Sequence, residues 1–477
     1  LWTIACARIL FGAQMSVQAP PNLSPGVLPQ IVHAGINDWG GVSPVTPDFV
    51  NPEAPWPHLD ELTRETAAAG KFLTERLTVY PAYAVDLEQW THTDLHERIL
   101  EMIDSEGFPR IDEWCPGDPD IAPPSSIMNA IINPPRHVSQ DIHQAIQQAT
   151  KGEALSEQQI VRLFSARGDD FSAVVQSADQ LRRKTNGDSV SFVVNRNINY
   201  TNICYFKCQF CAFSKGKLSE NLRGRPYDLS DEEIQRRTVE AWQRGATEVC
   251  MQGGIHPEYT GDTYVHIVEV VKQAVPEMHV HAFSPLEVWQ GAATLDVSLS
   301  DYLRRLQQAG LNTLPGTAAE ILDDEVRAVI CADKINTQQW LDVMRAAHDL
   351  GFKTTATIMY GHVEQPVHWA RHLMRVRALQ EQTGGFTEFV PLPFVHMEAP
   401  MYLKGKARKG PTFREAILMH AVARLALHGQ IDNIQTSWVK MGHEGVKGCL
   451  NAGCNDLGGT LMNESISRAA GTLHGEE

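Results

Sequence analysis

Apolar segments alternate with helical ones from residue 190 onward, and this alternation constrains the fold more strongly than any other feature of the chain. Eight segments have the β-branched and aromatic composition of strands, and helical patterns separate most of them. They begin near positions 190, 247, 278, 311, 353, 386, 431 and 454. Parallel strands with crossover helices close into a barrel that keeps its functional groups at the carboxyl ends of the strands. The pattern therefore predicts an α/β fold, a (β/α)8 TIM-type barrel with helices before it.

Composition divides the chain into three parts. Residues 138–472 contain the strand-helix alternation and are predicted to form the barrel domain. Residues 59–137 combine helical periodicity with proline-rich stretches, so we predict a helical and Pro-rich linker there. Residues 1–58 need a separate interpretation, because part of them matches the end of the barrel.

An internal repeat supplies that interpretation. Segment 17–41 aligns with segment 434–459: each has a strand that carries Gln18 or Gln435, then a helix, then the pattern AG-x-ND-x-GG. A repeat that recurs once, about 400 residues later, is not a solenoid. We therefore predict that residues 1–58 are the C-terminal remnant of a preceding barrel of the same kind, whose front part would lie before Leu1.

The composition favours a globular protein with small-molecule ligands. The formal net charge is −16 at pH 7, whereas nucleic-acid binders concentrate Lys and Arg on one face. No run of apolar residues in the sequence approaches the roughly 18 of a membrane-spanning helix. The nine cysteines form one tight cluster and scattered singles, which favours a reducing compartment over a disulfide framework. We expect a cytoplasmic protein; an organelle-targeting signal would lie before Leu1.

The cysteine cluster is the segment CYFKCQFC, in which Cys204, Cys208 and Cys211 stand four and three residues apart. A structural zinc ion needs a fourth Cys or His ligand, and neither Cys250 nor His256 has a typical spacing from the cluster. Three thiolates can instead hold three irons of a [4Fe-4S] cluster and leave the fourth iron open to another ligand. A zinc loop and three thiols without metal remain the alternatives.

The pattern C-x3-C-x-aromatic-C resembles the cysteine motif of the radical S-adenosylmethionine (SAM) superfamily. The resemblance implies a [4Fe-4S] cluster whose open iron binds SAM, in a barrel that positions the resulting radical and excludes water. It also places a glycine-rich turn, here CMQGG, beside the methionyl part of SAM, where glycines let the backbone approach the ligand. We expect metal contacts from Cys204, Cys208 and Cys211, and SAM contacts from Phe210, Gln252, Gly253, Gly254, Glu287 and Glu320.

Segments at later strand ends narrow the resemblance. HAFSPLEV, LPGTAAEIL, TIMYGHVEQPVHW and IDNIQTSWVKMG are similar as a set to the tyrosine-dependent 4-hydroxyphenyl transferase component of FO synthase, a family that makes the deazaflavin chromophore FO. The resemblance implies that the adenosyl radical abstracts hydrogen from L-tyrosine and that the Cα–Cβ bond breaks. The 4-hydroxybenzyl group then joins 5-amino-6-(D-ribitylamino)uracil, with 2-iminoacetate as the other product. An external electron donor and the FO synthase lyase component, fused or separate, are the implied partners.

Polar residues at the predicted strand ends are the candidates for substrate contact. We expect His362 and Glu364 in YGHVE to contact a ligand as a pair, with Tyr360 as a third catalytic candidate. The predicted substrate-binding residues are Asn195, Arg196, Asn199, His396 and Gln435. Each of these residues has an alternative role as a helix cap or a satisfied loop residue.

Five further residues of ligand-forming types are expected to pack inside the protein instead. His279 and His281 lie on one face of a predicted strand, and Cys250 lies inside another. Cys449 and Cys454 have poor ligand spacing, and Cys454 aligns with Ile36 in the repeat, so this position accepts an apolar side chain.

Two other functions remain open from the sequence alone. A radical SAM enzyme of the futalosine pathway to menaquinone would have the same fold, but the repeat near the N-terminus argues against it. A non-catalytic iron–sulfur or zinc protein would use the cysteine loop for electron transfer or structure. Because the cysteine motif of the lyase component is absent from the sequence, we do not expect this chain alone to perform the second, ring-closing step.

Overall fold

The computed structural model describes residues 1–43, 45–214 and 225–474. Contacts within the chain divide it into two compact units, Leu1–Arg76 and Leu77–Glu477. No helix in the described residues is long and apolar enough to span a bilayer.

The first unit is small, and three α-helices are the main regular elements of its described residues. Its helices are α1 (Trp2–Phe11), α2 (Leu28–His33) and α3 (Leu59–Ala68). Leu28 and Ile31 of α2 and Leu62 of α3 are buried around Trp39, whose indole donates a hydrogen bond to Thr66 at 3.1 Å. The apolar residues of the two helices therefore provide a core for this unit.

The repeated sequence adopts the same backbone pairing in both units. Gln18 and Asp38 form a parallel β-bridge in the first unit, and Gln435 and Asp456 form one in the second. These four residues are the equivalent positions of the two copies, so the sequence repeat corresponds to a repeated local structure.

A glycine completes this structure in each copy. Gly40 has φ of 80° and donates its N–H to the Asp38 carboxylate at 2.5 Å; Gly458 has φ of 73° and donates to Asp456 at 2.6 Å. A Cβ atom on either glycine would overlap the Gln side chain of the same copy. Glycine is therefore required there for both its φ angle and its size.

The second unit begins with helices and continues with the strand-helix alternation. Its helices are α4 (Pro81–Ala84), α5 (Leu87–Trp90), α6 (His96–Met102), α7 (Ser125–Ile132), α8 (Gln140–Thr150), α9 (Glu157–Phe164), α10 (Asp169–Asn186), α11 (Asp231–Gln243), α12 (Gly261–Ala274), α13 (Pro285–Thr294), α14 (Leu299–Ala309), α15 (Asp324–Ile330), α16 (Thr337–Asp349), α17 (Pro366–Thr383), α18 (Pro400–Leu403), α19 (Phe413–Ala426), α20 (Trp438–Leu450) and α21 (Ile466–Ala469).

The strands are β1 (Ser191–Val193), β2 (Asn195–Ile198), β3 (Glu248–Met251), β4 (His279–His281), β5 (Thr313–Leu314), β6 (Lys353–Tyr360), β7 (Phe386–Pro393), β8 (Asn433–Ile434) and β9 (Asp456–Gly459). Each of the eight predicted strand segments contains a strand, and the segment near residue 190 contains two. β2 to β8 form a parallel sheet in chain order, while β1 pairs with β9.

Two β-bridges connect the ends of the sheet. Gln435, just after β8, pairs with Asp456, and Arg196 of β2 pairs with Met462. Residues 456–462 therefore link the last strand of the sheet to the first. The predicted TIM-type α/β barrel with preceding helices is confirmed.

Helix α19 joins the preceding helices to the barrel. Every residue of α19 is buried, as expected for a helix that is enclosed on all sides. Its charged residues have partners: Arg414 contacts Asp104 at 3.2 Å, and Glu415 accepts the backbone N–H of Ser105 at 2.7 Å. These buried charges fix segment 104–105 against the barrel, because an unpaired buried charge would be costly.

Candidate functional site

The cysteine loop follows β2 and is held by three other segments of the second unit. Backbone N–H groups of Tyr205 and Gln209 donate to the carbonyls of Ile255 at 3.1 Å and Ile330 at 2.8 Å. Met401 donates to the carbonyl of Gln209 at 2.8 Å. The loop therefore has a defined position over the carboxyl ends of the strands.

The three thiols of this loop line a common cavity of about 550 Å³, which we call the thiol cavity. Pro257, Pro400, Lys404 and Ser214 are among its other lining residues, together with Cys204, Cys208 and Cys211. Burial raises the pKa of the Cys204 thiol and that of the Cys208 thiol. Bound metal would favour the thiolate form that burial opposes.

The spacing of the sulfurs suits a cluster better than a single ion. Within the described ranges, the only three His, Cys, Asp or Glu side chains whose ligand atoms all lie within 4.8 Å of one another are Asp323, Glu325 and His368. The three thiols are therefore spread more widely than that. A tetrahedral zinc ion, with Zn–S bonds of about 2.3 Å, would bring its sulfurs closer together. A cubane binds each thiolate through a different iron, so the wider spacing fits a cubane.

The group around Asp323 already has cationic partners. Arg371 and Arg375 each place a guanidinium nitrogen 3.3 Å from the Asp323 carboxylate. Arg371 also lies 3.6 Å from Glu325. These carboxylates are neutralised by arginines, which explains their proximity without a metal ion.

A buried cation stands beside the cysteine loop. Lys334 Nζ lies 2.6 Å from Glu320 and 5.6 Å from the centre of the Phe210 ring. Burial opposes the charge of this ammonium group, but Glu320 and the nearby thiols of Cys208 and Cys331 raise its pKa overall. Lys334 is therefore a positive charge next to Cys208. Phe210 and Glu320, expected to contact SAM, contact Lys334 here.

The turn Gly253–Gly254 lets the cysteine loop pack onto β3. A Cβ atom on Gly253 would overlap the Tyr200 ring, and one on Gly254 would overlap the Ile203 carbonyl and lie 3.0 Å from Cys204 Cβ. Both glycines are therefore required by close packing. The Gly254 N–H also donates to the Thr201 carbonyl at 2.8 Å.

The carboxyl group of Glu287 fixes the position of this turn through hydrogen bonds. It accepts the N–H of Gly253 at 3.2 Å, the N–H of Ser284 at 2.6 Å, and the hydroxyl of Tyr200. Burial raises the pKa of Glu287, and these hydrogen bonds offset only part of that shift. Glu287 was expected to contact SAM. In the structure its carboxyl group accepts hydrogen bonds from the protein, so we assign it a role in positioning the turn.

A second cavity, of about 540 Å³, lies inside the barrel and we call it the barrel cavity. Many of the residues that line it are polar and come from successive strands, and apolar residues such as Val390, Leu392 and Trp438 line it as well. The predicted residues that line it are Asn195, Asn199, Gln252 and Gln435, and Cys250 lines it as well. Asn199 donates to the Gln252 carbonyl at 3.0 Å. Gln252, which lines this cavity, is two residues from Gly254, against which the cysteine loop packs.

The barrel cavity also contains residues that the sequence analysis missed or assigned to packing. His279 and His281 line it, although we expected both to pack. The lining residues that were not singled out include Asn197, Glu248, Thr313, Glu388, Lys440, Asp456 and Glu464. One sequence feature could have identified these residues. Polar residues recur at every second position in the strands, as in Asn195, Asn197 and Asn199, which places them on one face.

A row of polar side chains in contact crosses four neighbouring strands at the wall of this cavity. Asn195 donates to Glu248 at 3.0 Å, and Glu248 lies 3.9 Å from His279. The Thr313 hydroxyl lies 2.8 Å from His279 Nε2 and 2.7 Å from His281 Nδ1. The hydroxyl can donate to only one imidazole, so the other donates to it. Burial lowers the pKa of His281 to about 4, which keeps it neutral at pH 7.

Arg196 and His396, both expected to bind substrate, do not line either cavity. Arg196 alternates with inward-facing residues of β2, and its guanidinium contacts Glu240 and the Arg237 carbonyl at 2.9 Å on the outer side of the sheet. His396 is buried with its ring 4.4 Å from that of Tyr402. The expectation for Arg196 did not take account of the alternation of side chains along β2. The expectation for His396 did not take account of its packing against Tyr402.

The proposed catalytic group also lies away from both cavities. His362, Glu364 and Tyr360 are fully buried. His362 Nδ1 lies 2.8 Å from Glu364, which also accepts the indole N–H of Trp369 at 3.0 Å and lies 3.5 Å from Arg408. Burial raises the pKa of Glu364, but His362 and Arg408 lower it overall. The Glu364 carboxylate makes its contacts within the protein and fixes the turn after β6. His362 and Glu364 therefore do not line the barrel cavity or the thiol cavity.

Cys449 and Cys454 are completely buried, as expected for packing residues. The Cys449 sulfur lies 3.7 Å from His420 Nδ1. Neither residue lines the thiol cavity or the barrel cavity.

Comparison of the sequence with known protein families identifies the family to which this chain is similar. Residues 198–376 match the family model described as the Radical SAM superfamily, and residues 383–476 match the one described as the CofH/MqnC C-terminal region. An FO synthase of Nocardia farcinica is 45% identical over 99% of this chain and 60% of its own length. An FO synthase of Mycobacterium leprae is also 45% identical, over 100% of this chain and 59% of its own length. The chain thus spans about 60% of the length of these relatives.

A shorter relative is covered more fully. The 5-amino-6-(D-ribitylamino)uracil--L-tyrosine 4-hydroxyphenyl transferase of Methanopyrus kandleri is 48% identical over 64% of this chain and 81% of its own length. Among solved structures, methylornithine synthase (PylB) superposes with a TM-score of 0.51 at 19% identity, covering 67% of this chain and 87% of its own. The [FeFe]-hydrogenase maturase HydG superposes with a TM-score of 0.53 at 13% identity, covering 70% of each chain. At these identities the structures support the fold alone.

We predict that Gly254→Ala displaces the cysteine loop, because the added methyl group would overlap the Ile203 carbonyl. Overpacking of this kind costs about 1–3 kcal/mol. The iron bound per chain after anaerobic reconstitution should fall by at least about half. Gly41→Ala is the matched control, since a Cβ atom there meets nothing within 4 Å. Full iron binding by Gly254→Ala would contradict the assigned packing.

We also predict a pH-dependent stability that depends on Glu388. Burial and the charges of Asp456 and Glu248 raise the pKa of Glu388 to about 8. Between its ordinary pKa and about pH 8 the carboxyl group is protonated in the native state but ionised in the unfolded chain. Stability contributed by this group is therefore lost as the pH rises through that window. The unfolding temperature of the wild type should fall between pH 5 and pH 9 more steeply than that of Glu388→Gln.

The control for this prediction is the exposed residue Glu269 on α12. Glu269→Gln should retain the wild-type dependence of unfolding temperature on pH, measured by calorimetry in the same buffers. Equal slopes in the wild type and Glu388→Gln would show that Glu388 ionises in the native state as readily as in the unfolded chain.

Proposed function

Since this chain belongs to the radical SAM superfamily and, within it, to the FO synthase family, we propose that it is the transferase of FO biosynthesis. In this proposal it joins the 4-hydroxybenzyl group of L-tyrosine to 5-amino-6-(D-ribitylamino)uracil. The substrates are those in the printed name of the archaeal relative, which is 48% identical to this chain. The lyase component of FO synthase would be its partner, and an external donor would supply electrons.

The observation that supports this proposal best is the arrangement of the two cavities. Cys204, Cys208 and Cys211 line one cavity, and the cysteine loop packs against Gly254, two residues from Gln252 in the wall of the barrel cavity of about 540 Å³. A volume of this size is within the range of small-molecule sites. A simple electron-transfer or structural zinc protein has no need of such a cavity. The arrangement therefore favours an enzyme over the two binding-protein alternatives.

Cys204, Cys208 and Cys211 would hold the [4Fe-4S] cluster, and SAM would complete its coordination. When bound, the two groups supply a carbon-centred radical that can remove hydrogen from an amino acid. The chain's own residues shape and close the site around this chemistry. Gly253 and Gly254 allow close backbone approach, and Glu287 fixes their position.

The barrel cavity would bind the two organic substrates. Its wall offers carboxylate, amide, hydroxyl and imidazole groups from neighbouring strands, which suit the N–H and O–H groups of a ribitylaminopyrimidine. Because these groups stand on strands rather than on loops, they can hold the two substrates in a fixed relative orientation. The strands around the cavity would limit the directions from which water reaches a reactive intermediate.

We expect the reconstituted protein to consume L-tyrosine and 5-amino-6-(D-ribitylamino)uracil in the presence of SAM and a reductant. An anaerobic assay read by mass spectrometry would detect the adduct, 2-iminoacetate and 5′-deoxyadenosine. Cys208→Ala should lose the cluster, and its activity should fall by more than about 100-fold, beyond the range for loss of an outer-shell partner. Cys454→Ala is the matched control, and it should keep both cluster and activity.

Three results would contradict parts of the proposal or the packing role of Cys454. Reductive cleavage of SAM with both substrates intact would refute the substrate assignment while leaving the superfamily chemistry in place. An electron paramagnetic resonance spectrum that does not change when SAM is added would refute the open iron site. Loss of the cluster in Cys454→Ala would refute the packing role of that residue.

A further inference from the structure

Charge is distributed unevenly along the barrel cavity. Glu248 and Asp456 begin their strands, and Glu388 is the third residue of β7, so three carboxyl groups stand toward the amino ends of the strands. Lys440 follows β8 in the first turn of α20, at the carboxyl ends. Among the described residues that line this cavity, Lys440 is the only Lys or Arg. The cavity is therefore acidic at one end and has its single cation at the other.

The ammonium group of Lys440 can form more hydrogen bonds than the one that it makes to the protein. It donates to Ser467 Oγ at 2.7 Å, and an ammonium group can donate three hydrogen bonds. Glu464, which also lines the cavity, accepts the Ser467 N–H at 2.7 Å and the side-chain amide of Asn197. A cation and an anion thus stand on either side of Ser467 at the same end of the cavity.

This pair matches the two charges of an α-amino acid. An α-carboxylate placed at the amino ends of the strands would face Glu248 and Asp456, and like charges repel each other more strongly inside a protein than in water. At the carboxyl ends it can meet Lys440, which compensates the loss of its hydration. The α-ammonium group then has Glu464 as an anionic partner.

We propose that Lys440 binds the α-carboxylate of the amino-acid substrate and that Glu464 faces its ammonium group. The proposal rests on the proposed function and defines the orientation of the substrate within the barrel cavity. The amino-acid backbone lies at the end of the barrel that carries the cysteine loop, and the aromatic side chain points toward the acidic half. The acidic half then receives the neutral, donor-rich pyrimidine, whose N–H and O–H groups can donate to oxygen atoms of its carboxyl groups.

The test compares tyrosine with tyrosine amide, which has the same side chain and ammonium group but no carboxylate. Dissociation constants are measured by anaerobic calorimetry on the reconstituted protein with SAM. The wild type should prefer tyrosine by roughly 10- to 100-fold, the range for a hydrogen bond to a charged group. Lys440→Met should reduce this preference to less than about 3-fold, whereas Lys440→Arg should retain most of it because the positive charge remains.

Lys447→Met is the matched control. Lys447 lies on the same helix but is exposed and pairs with Glu444 at 2.5 Å, so this variant should keep the wild-type preference. Iron content and thermal unfolding show whether each variant is folded. If Lys440→Met does not fold, the wild type alone decides: equal binding of tyrosine and tyrosine amide overturns the proposal.

The outcomes separate this proposal from the proposed function. A wild type that forms the adduct from tyrosine, with a preference that Lys440→Met leaves unchanged, overturns the role of Lys440 alone. A wild type that neither binds nor consumes tyrosine overturns the proposed function and with it the present assignment. Loss of the preference in Lys440→Met, with retention in Lys440→Arg and Lys447→Met, supports both.

Discussion

The carboxylate of Glu287 links three strand ends on which the candidate site is built. It accepts hydrogen bonds from Tyr200 after β2, from Gly253 after β3 and from Ser284 after β4. Burying this group is costly, and its hydrogen bonds compensate part of that cost. The cysteine loop begins four residues after Tyr200 and rests against Gly254. Its position over the barrel therefore depends on a residue that has no direct contact with the thiols in the hydrogen bonds described.

Sequence patterns predicted the fold and the thiol loop well, because both depend on local periodicity and spacing. All eight strand segments contain strands, and Cys204, Cys208 and Cys211 line one cavity. The wall of the barrel cavity was harder to predict. The residues that line it are far apart in the sequence. What they have in common is that their side chains point into the barrel, and this depends on the register of each strand. His279 and His281 were assigned to packing for this reason, although polar residues at i and i+2 were visible.

The same limitation explains why His362 and Glu364 were expected in the site. Their position after β6 is typical of functional residues in barrels, but sequence does not show which way a strand-end side chain turns. In the structure Glu364 turns into the protein and bonds to His362 and Trp369. A charged pair at a strand end can thus support the backbone, and only the tertiary contacts distinguish this role from ligand binding.

The backbone hydrogen bonds of the cysteine loop have a consequence for how metal is acquired. Ile255, Ile330 and Met401 hold the loop from three separate parts of the barrel unit. The conformational entropy of the loop is therefore lost when the barrel folds, and little of it remains to be lost when a cluster binds. Many small metal-binding domains fold only with their metal, whereas a loop of this kind is pre-organised by the protein around it. A cluster damaged by oxygen could then be rebuilt on the folded chain without a new folding step.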